Sequence, residues 1–333
     1  MVAIEINVPE LVFSAEKRIR PYIRQTILER SPFYSMESEA DVFFKCENLQ
    51  HTGSFKVRGA LSKILALSDR EKVRGVITAS TGNHGAAVAY SLKQVGASGI
   101  VFVPKIASES KVKAIQRLGA DVQYFGMDSA ETEVYARKYA REHGAAYIPP
   151  YNDPLVLGGQ GTIGLELFRQ LDQVDVVFVS VGGGGLIAGI AGYLKNISTK
   201  VKVFGCSPEN SQVMVQSVRA GRILDLPSLP TLSDGTAGGI EDGSITFPLC
   251  RDLVDEYITV SEAEIGTNLR QFMTAQHMLI EGSAAVAIAG FQKVVKSEKQ
   301  RGWLRGKNVV IVLCGANIGI DQLKEVLYSN EDA

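Results

Sequence analysis

The sequence is short of cysteine and tryptophan and carries no excess of charge of either sign, and each shortage excludes something. Its 333 residues include one tryptophan and four cysteines, Cys46, Cys206, Cys250 and Cys314, widely spread and with no Cys-x-x-Cys pair. Such spacing fits neither a disulfide framework nor a zinc site, and it points to a reducing compartment. With 35 basic against 36 acidic residues, a formal net charge of -1, the chain has no field to gather nucleic acid or an anionic membrane. Small metabolites are the expected partners. No apolar run approaches the ~20 residues that would span a bilayer, and Met1-Val2-Ala3-Ile4-Glu5 lacks the basic region and apolar core of an export signal. The expectation is a soluble cytoplasmic protein.

What the chain does have is glycine, 33 residues of it, and 45% apolar content, enough for one large core or two medium ones. Helical spacing runs from Pro9 to Ser31, where Ser31-Pro32-Phe33-Tyr34 breaks it; a strand-like run 41–46, a short helix 60–67 and a polar connection 68–71 follow. Strands are then expected at 75–79, 99–103, 121–125 and 145–148, alternating with helices at 85–95, 109–118 and 130–143. Pro149-Pro150-Tyr151-Asn152-Asp153-Pro154 reads as a linker, since proline disfavours both helix and central strand. Beyond it come helices 162–170, 186–194, 209–220, 262–277, 283–294 and 321–328, strands 174–181, 201–206, 256–260 and 308–313, and a glycine- and proline-rich loop 227–243. Short, almost wholly apolar strands between amphipathic helices predict an α/β fold. It should be two-lobed, each lobe an open, mostly parallel sheet flanked by helices, with 75–148 as a small domain and 1–74 with 149–333 as a large one.

Several stretches carry chemistry. In Thr52-Gly53-Ser54-Phe55-Lys56-Val57-Arg58-Gly59-Ala60 one lysine sits beside glycine, serine and an aromatic, just after the run 41–46. A partly desolvated lysine at an element boundary has a lowered pKa and can form a Schiff base with a carbonyl; the competing reading is a snorkelling lysine at a helix start. Strand 174–181 runs into Gly182-Gly183-Gly184-Gly185 and a helix, so bare amides at a helix N-terminus make an anion cradle suited to phosphate. Gly183-x-Gly185-x-x-Ala188, with Glu209 downstream, also loosely fits a dinucleotide fingerprint. Ser80-Thr81-Gly82-Asn83-His84-Gly85 opens another helix and offers amides and hydroxyls for a carboxylate, with Asn83 able to donate to a ring oxygen. Strand 308–313 ends in Cys314-Gly315-Ala316-Asn317, a thiol at the carboxyl edge of a parallel strand.

Taken in this order, the four stretches resemble the pyridoxal-phosphate enzymes of the tryptophan synthase β fold (fold type II), in the branch of threonine and serine dehydratases and serine racemase. The histidine after Asn83 favours that branch over the cysteine synthases. The resemblance, from about Pro9 to Tyr328, implies pyridoxal 5'-phosphate joined to Lys56, with Phe55, Asn83, Asn152, Gly182, Gly183, Gly184, Gly185 and Cys314 around it. Cys314 would lie at the pyridine nitrogen. Ser80, Thr81, Gly82 and His84 would face the substrate, Lys56 and Thr81 being catalytic. It implies dehydration and deamination of L-threonine or L-serine to a 2-keto acid and ammonia, by a homodimer. Another β-hydroxy amino acid such as 3-hydroxyaspartate, or serine racemisation, is the alternative within the site; a nicotinamide-dependent oxidoreductase and a non-catalytic ligand sensor are the alternatives outside it. Thr81 stands where racemases place a serine, which demotes racemisation. Ser207 and Val213 stand where cation-binding relatives place glutamate and aspartate, so no metal is expected, and without a C-terminal regulatory extension neither is feedback control.

Overall fold

Strands with no polar face can be satisfied only inside a sheet covered on both sides, and that is where the apolar runs lie. The structure, a computed structural model, describes residues 6–328 apart from the side chains of Ser110, Lys299 and Gln300; the first five residues, read above for an export signal, fall outside it. In chain order the strands are β1 (Leu28–Arg30), β2 (Asp41–Cys46), β3 (Val76–Ala79), β4 (Gly99–Val103), β5 (Asp121–Tyr124), β6 (Ala146–Tyr147), β7 (Val176–Ser180), β8 (Lys202–Pro208), β9 (Glu256–Val260) and β10 (Asn308–Leu313). They form a six-stranded sheet in the order β1-β2-β10-β7-β8-β9, parallel except for the edge strand β1, and a parallel four-stranded sheet in the order β5-β4-β3-β6. The two-lobed α/β architecture is as expected. Every residue of β7 is buried, as are the last five of β10, and these strands centre the main core.

Several elements differ from the sequence-based expectation, each for a local reason. Helical spacing does not persist to Ser31: the helix is Val8–Ile19, and Leu28–Arg30 pairs with β2 as an edge strand. Pro32 does not break structure but opens helix Pro32–Ser38, with Ser31 Oγ capping the Tyr34 amide. The polar connection 68–71 is instead a capping box, Ser68 and Glu71 closing the start of helix Asp69–Arg74. Helix Pro154–Gln170 begins well before residue 162, because Asp153 Oδ1 accepts from the Leu155 and Val156 amides. Its glycines serve close approach: a Cβ on Gly159 would stand 2.5 Å from Arg58 O, and one on Gly161 2.9 Å from Gly189 O. Helices Thr246–Leu253 and Glu298–Leu304 were not foreseen.

Helix Lys56–Ala66 packs on Pro154–Gln170 over a buried charge network. Arg58, fully buried, spends its guanidinium donors on Glu47 (2.8 and 2.8 Å), Glu166 (2.8 and 3.0 Å) and Thr162 Oγ1 (3.1 Å). Lys45, also fully buried, donates to Glu166 (2.5 Å), Thr26 O (2.9 Å) and Gln170 Oε1 (2.9 Å). Burial alone would push Glu166 up, but Arg58 and Lys45 outweigh it and hold the carboxyl well below its ordinary value.

Two outcomes follow for this network. Glu166→Ala leaves Arg58 and Lys45 short of their shared carboxylate in the interior and should cost about 3–5 kcal/mol in urea unfolding. Because the folded pKa of Glu166 is depressed, its contribution is present above the unfolded value near 4.5 and is lost as pH falls toward the folded one. The Tm gap between wild type and Glu166→Gln should therefore close on acidification.

Candidate active site

The strand order assembles the motifs. The lysine stretch follows β2, Cys314-Gly315-Ala316-Asn317 follows β10, and the tetraglycine follows β7, so three motifs emerge at the carboxyl ends of three adjacent parallel strands. The backbone stitches the first two together. Phe55 N donates to Cys314 O (3.1 Å), Ala316 N to Gly53 O (2.8 Å), and Ser54 bridges Gly315. The turn after β3 in the other sheet closes the cleft by presenting Asn83 at the start of helix Asn83–Val95.

Phe55, Lys56, Asn83, Gly182, Gly183, Gly184, Gly185 and Cys314 line this one cleft, where apolar walls meet a few convergent polar groups. Lys56 Nζ donates to Pro150 O (3.0 Å) and lies 5.2 Å from the centre of the Phe55 ring. Desolvation lowers the amine to about 8, against the opposing pull of Cys314 and Glu281. Gly184 caps helix Gly185–Ile197 at φ +84, and a Cβ there would stand 2.6 Å from Cys250 Sγ; at Gly183 it would run into the Tyr151 ring. Thr246 Oγ1 fixes the loop by donating to Gly183 O (2.6 Å). The cradle thus has positive φ and crowding that only glycine meets, with helix N-terminal amides at its base.

Other residues singled out from the sequence stand elsewhere. Ser80, Thr81 and Gly82 form the turn ahead of Asn83, where Ser80 Oγ accepts from Gly82 N (3.2 Å), and they do not line the cleft. His84 is buried with Nε2 2.9 Å from Ile148 O, so that nitrogen carries the proton. Burial, with Lys56 nearby, lowers this imidazole to about 3 and keeps it neutral. Asn152 is engaged at both ends, donating to Glu241 (2.9 Å) and accepting from Ile245 N (3.0 Å), also outside the lining. Burial pushes the Cys314 thiol well above its ordinary value, with Glu281 adding to the effect.

Sequence reasoning missed Glu281. This carboxylate lines the cleft, is 3% exposed, accepts from Asn83 Nδ2 (2.9 and 3.0 Å) and Asn317 N (3.0 Å), and is raised by burial to about 7. A signal existed: between His277 and Lys293 it is the only charged residue, and a lone acid in an apolar run requires partners.

An amine with a lowered pKa, an amide cradle for an anion and a buried carboxylate, all facing one cleft, suit a phosphorylated carbonyl compound. Comparison with known proteins agrees. Residues 19–315 match the family model described as pyridoxal-phosphate dependent enzyme. The chain is 36% identical over 315 residues to the catabolic L-threonine dehydratase of Escherichia coli strain K12, covering 95% of this chain and 94% of that protein. The processed form of threonine deaminase isoform 2 from Solanum lycopersicum superposes with a TM-score of 0.91 at 32% identity, covering 96% of this chain and 92% of that one. Maize serine racemase superposes with a TM-score of 0.88 at 31% identity, covering 96% of each chain. With most of its length matched by the family model and these relatives on either side, this chain belongs to the pyridoxal-phosphate dependent enzymes.

Proposed function

We propose that this protein is an ammonia-lyase for a β-hydroxy amino acid of the threonine or serine type, releasing a 2-keto acid and ammonia. The observation that carries the reading is Lys56, whose desolvated amine shares one cleft with the tetraglycine cradle. The relatives named for L-threonine dehydratase and threonine deaminase support the substrate class.

The residues present fit the cofactor. Gly182 to Gly185 leave space and amides where side chains would collide with Thr236, Tyr151 and Cys250, and Lys56 is the cation of the lining. When bound, pyridoxal phosphate supplies an aldehyde for the lysine and an electron sink for the substrate carbanion. The glycine amides at the N-terminus of helix Gly185–Ile197 would hold its phosphate, and Phe55 would supply an apolar wall of the cleft. Cys314, kept a thiol by burial, would offer the cofactor a weak donor and no formal negative charge. Lys56 Nζ takes the substrate Cα proton. Ser80, Thr81 and Gly82 stand outside the cleft lining, in the turn that leads into helix Asn83–Val95, and their amides and hydroxyls would meet the substrate carboxylate only if that turn moved toward the cleft. His84 orients rather than transfers a proton: with Thr78 Oγ1 (2.9 Å) it holds Ile148 O, just ahead of the Pro150 carbonyl that Lys56 touches.

The reading extends to organisation. Residues 75–148 make the small domain, and 1–74 with 149–333 the large one; the four-stranded and six-stranded sheets support this division. Among the described residues no helix is long and apolar enough to cross a membrane, and the four cysteines are unpaired. These observations support a cytoplasmic enzyme, and the resemblance supports a homodimer.

Purified protein should show a visible band that borohydride bleaches, and release keto acid from threonine or serine. Lys56→Ala should lose the band and about 10²–10⁴-fold of the rate. Colourless wild-type protein that binds a dinucleotide, or a coloured one that turns over none of a panel of β-hydroxy amino acids, would overturn the assignment. Capture of pyridoxal phosphate by the apoprotein needs the neutral amine, whose pKa is depressed to about 8. Its rate, followed by stopped-flow absorbance, should climb up to about pH 8 and then level off, where an unperturbed lysine would keep climbing past pH 10.

A further inference from the structure

Glu281 takes part in none of the steps above, yet it is buried among groups that do. It precedes helix Gly282–Lys296, and its side chain does not cap that helix. The carboxylate turns into the cleft. Both oxygens accept from Asn83 Nδ2, at 2.9 and 3.0 Å, and Oε2 also accepts from Asn317 N at 3.0 Å. Asn317 Nδ2 in turn donates to Asn83 Oδ1 at 2.5 Å. The Asn83 amide therefore has its oxygen committed to Asn317 and its nitrogen committed to Glu281. An amide nitrogen carries two hydrogens, and with one direction taken by the carboxylate the other is left for a ligand oxygen. Gly315 is part of the same arrangement: a Cβ there would stand 2.6 Å from Glu281 Oε1.

We propose that Glu281 is a positioning residue that fixes the direction of the Asn83 amide, and through it the fit of the cofactor ring, by bridging the four-stranded side of the cleft to the motif after β10. The inference rests on the reading of the cleft as a pyridoxal-phosphate site. A carboxylate is the group suited to this task, because it offers acceptors to both Asn83 and Asn317 and no donor to oppose them. Protonation would convert one oxygen into a donor facing other donors, so the bridge is complete only in the ionised form. Burial, then Asp234 on the turn Asp234–Thr236, pushes the carboxyl up; the Asn83 and Asn317 donors and Lys111 on helix Glu109–Arg117 pull it back, leaving it near 7. Lys56 and Cys314 also face it across the cleft. The bridge is thus half made near neutrality and complete above it.

Two substitutions and a cofactor analogue test this. The analogue is 4-deoxypyridoxine 5-phosphate, which lacks the aldehyde, so that Lys56 chemistry drops out of the measurement. Apo wild type should bind it more tightly at pH 8.5 than at pH 6. Glu281→Gln, whose amide must turn a donor toward Asn83 or Asn317, should bind it about tenfold more weakly at pH 8.5, the loss of roughly one hydrogen bond. Gly315→Ala, which displaces the carboxylate without removing it, should weaken binding as well. The pH dependence of analogue affinity is the readout that a purely structural role would not move, and thermal unfolding of the apoproteins reports the ionisation it depends on. The folded pKa of Glu281 is raised, so ionisation destabilises the fold, and wild type should lose stability relative to Glu281→Gln as pH rises from 4.5 through 7. Equal affinity of wild type and Glu281→Gln at pH 8.5, or a Tm difference constant across that range, would overturn the proposal while leaving the cofactor site intact. Failure of wild type to bind either the analogue or pyridoxal phosphate would instead sink the reading of the cleft itself.

Discussion

The Arg58 guanidinium, clamped between Glu47 and Glu166, is the interaction on which the site depends. Its five N–H groups are all used inside the protein, so its orientation is fixed as only a planar fork with matched carboxylates can fix it. Lys56 lies two residues earlier on the same helix. Any rotation of the helix that moved the amine would also break bonds made by a fully buried charge. Such a network is weak evidence of net stability, since an apolar replacement of equal shape can do as well. What it supplies is position.

The second constraint is topological. Strands β2 and β10 are among the earliest and the latest in the chain, yet they pair directly, and β7 lies next to β10. Parallel strands direct their following loops to one edge, so the order of the sheet decides which loops meet. The lysine, the thiol and the glycine cradle meet because their strands are neighbours. The fourth motif comes from the other sheet, and it reaches the cleft only through Asn83.

This separates what the sequence reveals from what it hides. The glycine cradle and the lysine stretch are legible because their chemistry is local: a strand, a turn of special backbone and a helix start within a dozen or so residues. The apolar strands are legible for the same reason, and β4, β9 and β10 have the expected bounds. The start of helix Pro154–Gln170 is not legible because Pro154 reads as the end of a linker until Asp153 is seen capping the helix. Glu281 was hidden because its partner Asn83 lies 198 residues away. Asn152 is legible as part of a linker, but of the residues that occupy its amide Glu241 lies in the aperiodic loop 227–243 and Ile245 just beyond it, and neither position says where it packs.

The electrostatics of the cleft follow from burial more than from pairing. Among the described residues that line it, Lys56 is the only cation and Glu281 the only carboxylate, and desolvation moves each toward its neutral form. His84 behind the lysine is neutral for the same reason, and Cys314 remains a thiol. A phosphate entering such a cleft meets no arginine and no second lysine among the lining residues. The donors left to it are the oriented amides of the glycine loop, the dipole of helix Gly185–Ile197 and the hydroxyls of Ser180, Thr236 and Ser283, which cost no desolvation of a mobile charge. That choice has a consequence for the lysine. A guanidinium beside the phosphate would depress the amine further still, whereas backbone dipoles grip the anion without adding a second full positive charge, so a single amine can be tuned by burial alone.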